Sequence, residues 1–167
     1  YVPNNVAICM AGDFDPDQVI ATIDRYFGSW KKNDNLSYPQ YAPVKDLTAP
    51  TDTTVMGQEA ENIVMGWKFD GAAAAQADTL KVIESLLNNG TAGLFDLDIN
   101  QPMKCLGAQA GINDMNEYSI FIMLGAPKEG QTLDEVKALM LAEVDKLKRG
   151  QFSDDLLPSV VNNMKLD

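Results

Sequence analysis

Residues 5–30 combine a short apolar run, an acidic turn and a helix whose two ends are both marked in the sequence. Residues 6–11 are six consecutive apolar residues, which predicts a buried strand with Cys9 inside it. Asp15 stands at the N-cap position, with Pro16 and Gln18 at the first and third helical positions, a capping-box arrangement. Gly28 follows the apolar stripe, where a left-handed residue ends many helices. The stretch predicts a strand, a turn and a helix.

A polar, proline-rich segment without periodicity separates this front piece from the rest of the chain. It covers residues 31–50 and is typical of a linker or an extended surface segment. The 167-residue chain therefore divides into a front piece, residues 1–30, and a main body, residues 51–167.

The main body is predicted to mix strands and helices. Residues 106–112 and 118–124 are separated by a turn at 113–116 and predict an antiparallel hairpin. Thr132 and Glu135 form a capping box that starts a helix running to Gly150. The other predicted elements are strands over 53–56 and 62–69, a helix over 71–88 that begins with Ala72–Ala75, a short helix capped by Thr91, and a last helix capped by Ser153. This order predicts an α+β fold, a two-layer sandwich with helices on one face of a mostly antiparallel sheet.

Composition and charge exclude several classes of protein. The net charge is −11, from 13 basic and 24 acidic residues. Nucleic acids and anionic membranes require clustered Lys and Arg, so neither is an expected partner. The charge is compatible with cationic peptides or a basic partner domain, although acidic solvated faces most often serve solubility. The sequence contains no apolar run near the ~20 residues of a membrane span.

The sequence contains no histidine. This excludes Ser-His-Asp and Cys-His catalysis, His-containing zinc sites and any HxxEH helix within these residues. Cys9 and Cys105 are too few for a disulfide framework or a structural zinc site, and a Cys9–Cys105 disulfide stays open. We therefore predict no catalytic residue and no metal ligand in this chain, and no substrate-binding residue can be named.

Two acidic clusters have a functional and a structural interpretation. Asp13, Asp15 and Asp17 have the spacing of a calcium loop, but Gln18 stands where that loop requires glycine, so helix capping is the better explanation. Asp96 and Asp98, with Asn100 nearby, could form an acid/base pair, which requires a cleft that a sequence does not show. A solvated helix face is favoured for both aspartates, with Leu94 and Phe95 as core residues.

Several segments in this order resemble the C-terminal, non-zinc-binding domain of M16 zinc peptidases, the insulinase, pitrilysin and mitochondrial processing peptidase family. The matching segments are Tyr1-Val2-Pro3-Asn4-Asn5, Gly12-Asp13-Phe14-Asp15, Tyr26-Phe27-Gly28-Ser29-Trp30, the stretch from Leu86 to Phe95, Leu106-Gly107-Ala108, and the stretch from Arg149 to Leu156. The resemblance extends over essentially the whole chain. It implies a LuxS/mitochondrial-processing-peptidase-like metallohydrolase fold and a clam-shell peptidase whose zinc is bound by a neighbouring domain.

The resemblance implies a division of roles within a longer protein. Residues 1–30 would be the strand–helix tail of the preceding catalytic-type domain, 31–50 the linker, and 51–167 the C-terminal-type domain with its last helix truncated. The expected partners are other M16 domains of the same polypeptide or of a partner subunit, and a peptide substrate. Zinc is expected in the catalytic domain and no cofactor in this chain. The alternative is an inactive M16 homologue with a structural or assembly role.

Some family domains carry an Arg and a Tyr seven residues apart that help to bind substrate. Aligning the family pattern on Leu106 and Gly107 places Gln101 and Ala108 at those positions, and aligning it on residues 94–95 shifts them by two. Neither Arg nor Tyr occurs between Thr91 and Glu117. This substrate-binding pair is therefore expected elsewhere or not at all, and the cellular compartment stays open between a bacterial-type periplasm and the cytoplasm.

Overall fold

The structure is a computed structural model that describes residues 1–166, and the chain divides into two compact units. The first unit, Tyr1–Lys45, contains a short 3-10 helix, Pro3–Asn5, and helix α1, Pro16–Phe27. The second unit begins at Asp46 and contains the sheet and the remaining helices.

Helix α1 begins as the sequence predicts. The Asp15 carboxylate accepts hydrogen bonds from the backbone N–H groups of Asp17 and Gln18, at 2.9 and 3.2 Å. The predicted left-handed end is wrong, because Gly28 is right-handed (φ −60°, ψ −22°). The glycine at position 28 instead allows the backbone to lie close to the last turn of α1, since a Cβ atom there would lie 2.5 Å from the carbonyl oxygen of Asp24.

The apolar run at residues 6–11 is not a strand, so the prediction of a buried strand is wrong. The side chains of Val6, Ile8 and Met10 are 46%, 51% and 55% exposed, and Cys9 is exposed as well. An apolar run becomes a strand only where a neighbouring strand supplies hydrogen-bond partners. No residue in 1–45 is in a strand, so the first unit offers this run no partner.

The second unit contains a three-stranded antiparallel sheet in the order β1-β3-β2. The strands are β1, Ile63–Asp70, β2, Gly107–Asp114, and β3, Tyr118–Ala126, and β2 and β3 form the predicted hairpin. The strand predicted at 53–56 is absent, and Val55 and Met56 are 85% and 90% exposed. Only two of those four residues are apolar, which is too little to bury a strand.

The helices of the second unit are α2, Ala77–Leu87, α3, Leu133–Lys148, and α4, Leu156–Met164, together with a π-helical segment, Asp96–Asn100. The capping box of α3 is confirmed: the Thr132 hydroxyl accepts from the Glu135 N–H, and the Glu135 carboxylate accepts from the Thr132 N–H. Within residues 1–166, no helix is long and apolar enough to cross a membrane.

Two helices begin later than predicted. The alanines at 72–75 form turns, because the Ala72 N–H donates to the carbonyl oxygen of Met115 in the hairpin turn rather than to a helical partner. The last helix begins at Leu156, and the Ser153 hydroxyl makes only a 3.4 Å contact with the N–H of Asp155.

The main core lies between the sheet and the helices, which confirms the predicted two-layer α+β arrangement. Leu94 and Phe95, predicted as core residues, are 5% and 0% exposed. The buried residues of this core are Leu80, Leu87, Leu94, Phe95, Ile99, Cys105, Ala108, Phe121, Met123, Val136 and Met140. A smaller cluster of Leu86, Leu156 and Val160 joins α2 to α4.

Close contact between α3 and the central strand depends on one glycine. A Cβ atom on Gly125 of β3 would lie 2.5 Å from Cγ1 of Val136 and 2.7 Å from Cε of Met140. Val136 and Met140 are themselves fully buried, so they have little room to move away. Gly125 therefore sets the distance between the helix layer and the sheet.

We expect Gly125→Ala to lower the free energy of unfolding by about 1–3 kcal/mol, the usual cost of overpacking a dense core. The matched control is Gly107→Ala in β2, where an added Cβ meets no atom within 4 Å, and this change should stay within about 0.5 kcal/mol. Urea denaturation measures both. Equal denaturation midpoints for the two variants would contradict the assigned packing.

Candidate functional site

The buried side chain of Asp96 binds the loop at residues 88–93, which lies in the stretch from Leu86 to Phe95 that resembles the family. Asp96, 5% exposed, accepts hydrogen bonds from Nδ2 of Asn88 at 2.8 Å and from the backbone N–H groups of Asn89 and Gly93 at 2.9 and 3.1 Å. These three donors supply the hydrogen bonds that a buried carboxyl group requires. Residues 88–93 therefore fold around the side chain of Asp96.

Asn89 supplies the second set of bonds in this loop. Its side-chain oxygen accepts from the backbone N–H groups of Thr91 and Ala92, at 3.1 and 2.8 Å. The prediction that Thr91 caps the following helix is therefore wrong. The backbone N–H groups of residues 91–93, which lie just before this helix, donate instead to the side chains of Asn89 and Asp96.

Asp98 lies two residues further along the π-helical segment and binds α3. Nζ of Lys146 lies 2.7 Å from Oδ2 of Asp98 and 2.9 Å from Oε1 of Glu143. Glu143 is 4% exposed, and its Oε2 is buried with no hydrogen-bond partner among the described residues. Asp98, Glu143 and Lys146 are called the triad below.

The pKa values of the triad diverge. Burial raises the pKa of Glu143 above its ordinary value, and the hydrogen bond from Lys146 lowers the pKa of Asp98. The bonds to Asp98 and Glu143 raise the pKa of Lys146, which holds its positive charge. The ammonium group thus joins two carboxyl groups that have opposite tendencies to ionise.

Asn100, the last residue of the π-helical segment, binds the sheet. Its Nδ2 donates to the carbonyl oxygen of Ala108 at 2.9 Å, and its Oδ1 accepts from the N–H of Ala108 at 2.8 Å. Asp96, Asp98 and Asn100 therefore bind three different parts of the fold: the preceding loop, helix α3 and strand β2.

The prediction of a solvated face for Asp96 and Asp98 is wrong for Asp96, which is buried, while Asp98 has a half-buried side chain paired with Lys146. The sequence reasoning also missed Glu143. A signal was available, because Glu143 falls on the apolar stripe of α3 and has a lysine three positions later. The stripe is Val136, Met140, Glu143 and Leu147.

The face of the sheet opposite the helices is a second candidate site. Side chains alternate along a strand, so Ile120, Ile122 and Leu124 of β3 point away from the buried Phe121 and Met123. Gly66 of β1 and Gly111 of β2 both pair with Ile122 in the register, and Val64 and Leu124 are 58% and 42% exposed. We call this surface the open face; it is defined by Val64, Gly66, Gln109, Gly111, Ile120, Ile122 and Leu124.

The open face is suited to apolar binding. Its centre is the aliphatic row Ile120, Ile122 and Leu124, and the residues paired with Ile122 on both neighbouring strands are glycines, which have no side chain. Such a surface buries apolar side chains of a bound segment and offers no acid, base or nucleophile at its centre.

The described residues do not suit a metal ion. Within residues 1–166, no group of three or more His, Cys, Asp or Glu side chains could hold one. Asp15 is occupied with the N-cap of α1, and Asp98 and Glu143 share an ammonium group. A zinc ion therefore does not fit this part of the chain, and no reaction step is assigned to one here.

The two cysteines do not form a disulfide, and the expected burial of Cys9 is wrong. Cys9 is exposed and Cys105 is buried, and both are free thiols. Burial raises the pKa of the Cys105 thiol, which disfavours the reactive thiolate.

The two positions aligned with the family's substrate-binding pair have structural roles. Nε2 of Gln101 donates to the carbonyl oxygen of Thr91 at 3.0 Å. Ala108 is fully buried and bonded to Asn100.

Comparison with known proteins adds a family, a relative and a structure. A family described as "Peptidase M16 inactive domain" matches residues 1–164. A Helicobacter pylori protein (strain ATCC 700392 / 26695) described as zinc protease PqqE is 22% identical over 172 residues, which cover all of this chain and 38% of that protein. The crystal structure of a protease from Helicobacter pylori matches 93% of this chain and 39% of its own, with a TM-score of 0.72 and 19% identity. The chain thus spans less than two fifths of these relatives.

We expect Asp96→Asn to lower the free energy of unfolding by about 1.5–3 kcal/mol, because the amide turns a donor toward backbone N–H groups that require an acceptor. Asp154→Asn, at an exposed position, is the matched control and should change stability by less than about 0.5 kcal/mol. Chemical denaturation of both variants provides the measurement. An Asp96→Asn variant as stable as the control would show that the buried bonds contribute little.

Proposed function

The chain belongs to the family of peptidase M16 inactive domains, and we propose that it is the non-catalytic domain of a zinc metallopeptidase. In this role it packs against the zinc-binding domain and helps to enclose a peptide substrate. The observation that carries the proposal is a family match over nearly the whole chain in a sequence that contains no histidine. Such a domain contributes shape and contacts to a peptidase, while the cleavage chemistry lies elsewhere.

The relatives support the wider context. The Helicobacter pylori relative is described as a zinc protease, and this chain corresponds to 38% of it. The remaining part is large enough for a zinc-binding domain of ordinary size. The proposed partners are therefore other M16 domains, in the same polypeptide or in a partner subunit, and a peptide.

The open face supports the substrate contact. Helices cover the other side of the sheet, where Phe121 and Met123 are buried, while Leu124 and Val64 stay accessible. Peptides are extended chains with apolar side chains at intervals, and an aliphatic sheet surface can bury them without sequence-specific bonds. The acidic net charge of −11 adds a preference for basic peptides through long-range attraction.

The 167-residue chain alone should bind no stoichiometric zinc and cleave no peptide, because it lacks a histidine ligand and a metal cluster among its described residues. Metal analysis after dialysis and a fluorogenic peptide assay measure the two properties. One tightly bound zinc per chain would overturn the assignment.

The sequence upstream of this chain in the longer protein distinguishes the proposed peptidase role from a structural or assembly role. The peptidase role requires an HxxEH motif with a downstream Glu before Tyr1. A longer protein without that motif would leave the structural or assembly role of an inactive M16 homologue.

In the longer protein, Leu124→Ser should reduce kcat/KM for a peptide substrate by about fivefold, equivalent to about 1 kcal/mol of lost apolar contact. The matched control is Leu157→Ser in α4, since Leu157 is 41% exposed and Leu124 is 42% exposed, and it should leave kcat/KM unchanged. Steady-state kinetics at fixed zinc content provide the test. Equal effects of the two substitutions would remove the open face from the substrate path.

We also propose that residues 1–30 are the strand–helix tail of the preceding domain. The apolar run at 6–11 is exposed in the first unit, and α1 has no buried residue. Met10, Phe14, Val19, Thr22 and Ile23 line a shallow groove of about 400 Å³ together with Asp15 and Gln18. An apolar run and an amphipathic helix both require a further layer to bury their apolar side chains. A preceding domain would supply this layer and the strand partner that the first unit lacks.

Cys9 reports on this docking, because it lies within the exposed run. In the 167-residue chain, Cys9 should react with a maleimide as an exposed thiol does, and in the longer protein about tenfold or more slowly, since the strand would be covered. Peptide mass spectrometry after timed labelling measures the rate at Cys9, with the buried Cys105 as the internal reference. The same Cys9 rate in both proteins would contradict the proposed tail.

A further inference from the structure

The triad contains a buried oxygen atom, Oε2 of Glu143, that accepts no hydrogen bond from any residue in 1–166. Glu143 is 4% exposed; its Oε1 accepts from Lys146, and its Oε2 is buried without a partner among the described residues. An ionised carboxylate would place negative charge on this unpartnered atom in a poorly hydrated environment. The geometry therefore disfavours the ionised form of Glu143.

A single ammonium group must serve two carboxyl groups at this point. Nζ of Lys146 lies 2.7 Å from Asp98 and 2.9 Å from Glu143. If both acids were ionised, the triad would carry a net charge of −1 between packed elements. With one proton added, the triad is neutral.

We propose that Asp98 and Glu143 hold one proton between them in mildly acidic solution, where ordinary carboxyl groups are ionised, that Glu143 carries it, and that the protonated triad is a pH-sensitive clamp between α3 and the π-helical segment. Glu143 and Lys146 lie on α3, and Asp98 lies on the π-helical segment. Gain or loss of the proton therefore changes the contact between these two elements. This inference is independent of the proposed peptidase role.

The surrounding charges agree with this distribution of protons. Among the described residues, the charged groups that act on Glu143 are Asp98, whose carboxylate raises its pKa, and Lys146, which lowers it. Lys104 adds a further positive charge that acts on Asp98 and favours its ionised form. Burial is the largest influence on Glu143 and raises its pKa, so the proton resides there.

The sign of the pH dependence follows from the raised pKa of Glu143. Above the ordinary value of 4.5, the folded chain holds a proton that the unfolded chain releases, so this contribution to stability declines as pH rises through the folded-state pKa. Asp98 acts in the opposite sense and loses its contribution only as pH falls below its ordinary value of 3.8. The clamp is therefore strongest in mildly acidic solution and weakens toward alkaline pH.

Carbon-13 NMR of the carboxyl groups tests the proton directly in the 167-residue chain. The Cδ resonance of Glu143 should keep the chemical shift of a protonated carboxyl at pH values where ordinary glutamates are ionised. A Glu143 titration midpoint at or below 4.5 would overturn the proposal. This experiment needs no variant, so it remains decisive if a substitution prevents folding.

Glu143→Gln tests the consequence for stability, because its amide keeps the shape and the donor of a protonated carboxyl but cannot ionise. Between pH 5 and 9, the Tm of the unsubstituted chain should fall relative to Glu143→Gln by about 3 °C or more. Asp145→Asn, on the exposed side of α3, is the matched control and should run parallel to the unsubstituted chain. A constant Tm difference between Glu143→Gln and the unsubstituted chain across this range would contradict the proposal.

Discussion

The packing of α3 against the central strand β3 is the contact on which the rest of the second unit depends. Val136 and Met140 are fully buried against β3, and Gly125 allows the helix to approach the sheet because it has no side chain. The position of α3 against the sheet also determines where the side chains of its next turn lie. Glu143 and Lys146 follow Met140 on the same side of α3, and this brings them to Asp98.

The π-helical segment connects α3 to two other parts of the second unit through hydrogen bonds. Its polar residues Asp96, Asp98 and Asn100 bind the loop at 88–93, helix α3 and strand β2 in turn. Asp96 and Asp98 have the spacing of a possible acid/base pair, but their hydrogen bonds are made with other parts of the fold.

Local signals predicted much of the fold. The structure contains the predicted capping box at Thr132, the N-cap at Asp15 and the strands predicted over 62–69 and 118–124. These features depend on neighbours close in sequence. The predictions of strands at residues 6–11 and 53–56 are wrong for a different reason. A strand requires hydrogen-bond partners on a second strand, and those partners need not be close in sequence. The candidate site was harder to predict. The burial of Asp96 results from tertiary packing that no local pattern encodes. The position of Glu143 on the apolar stripe of α3 indicates burial, but it does not indicate that Lys146 also binds the distant Asp98.

We propose that this chain supplies no zinc ligand and is nevertheless needed for peptide cleavage by the longer protein. The most direct measurement is the zinc content and peptidase activity of the longer protein with and without the segment that corresponds to residues 51–167. The account predicts that zinc is retained when this segment is deleted and that cleavage of peptides is lost. Loss of zinc together with the segment, or full cleavage without it, would contradict the account.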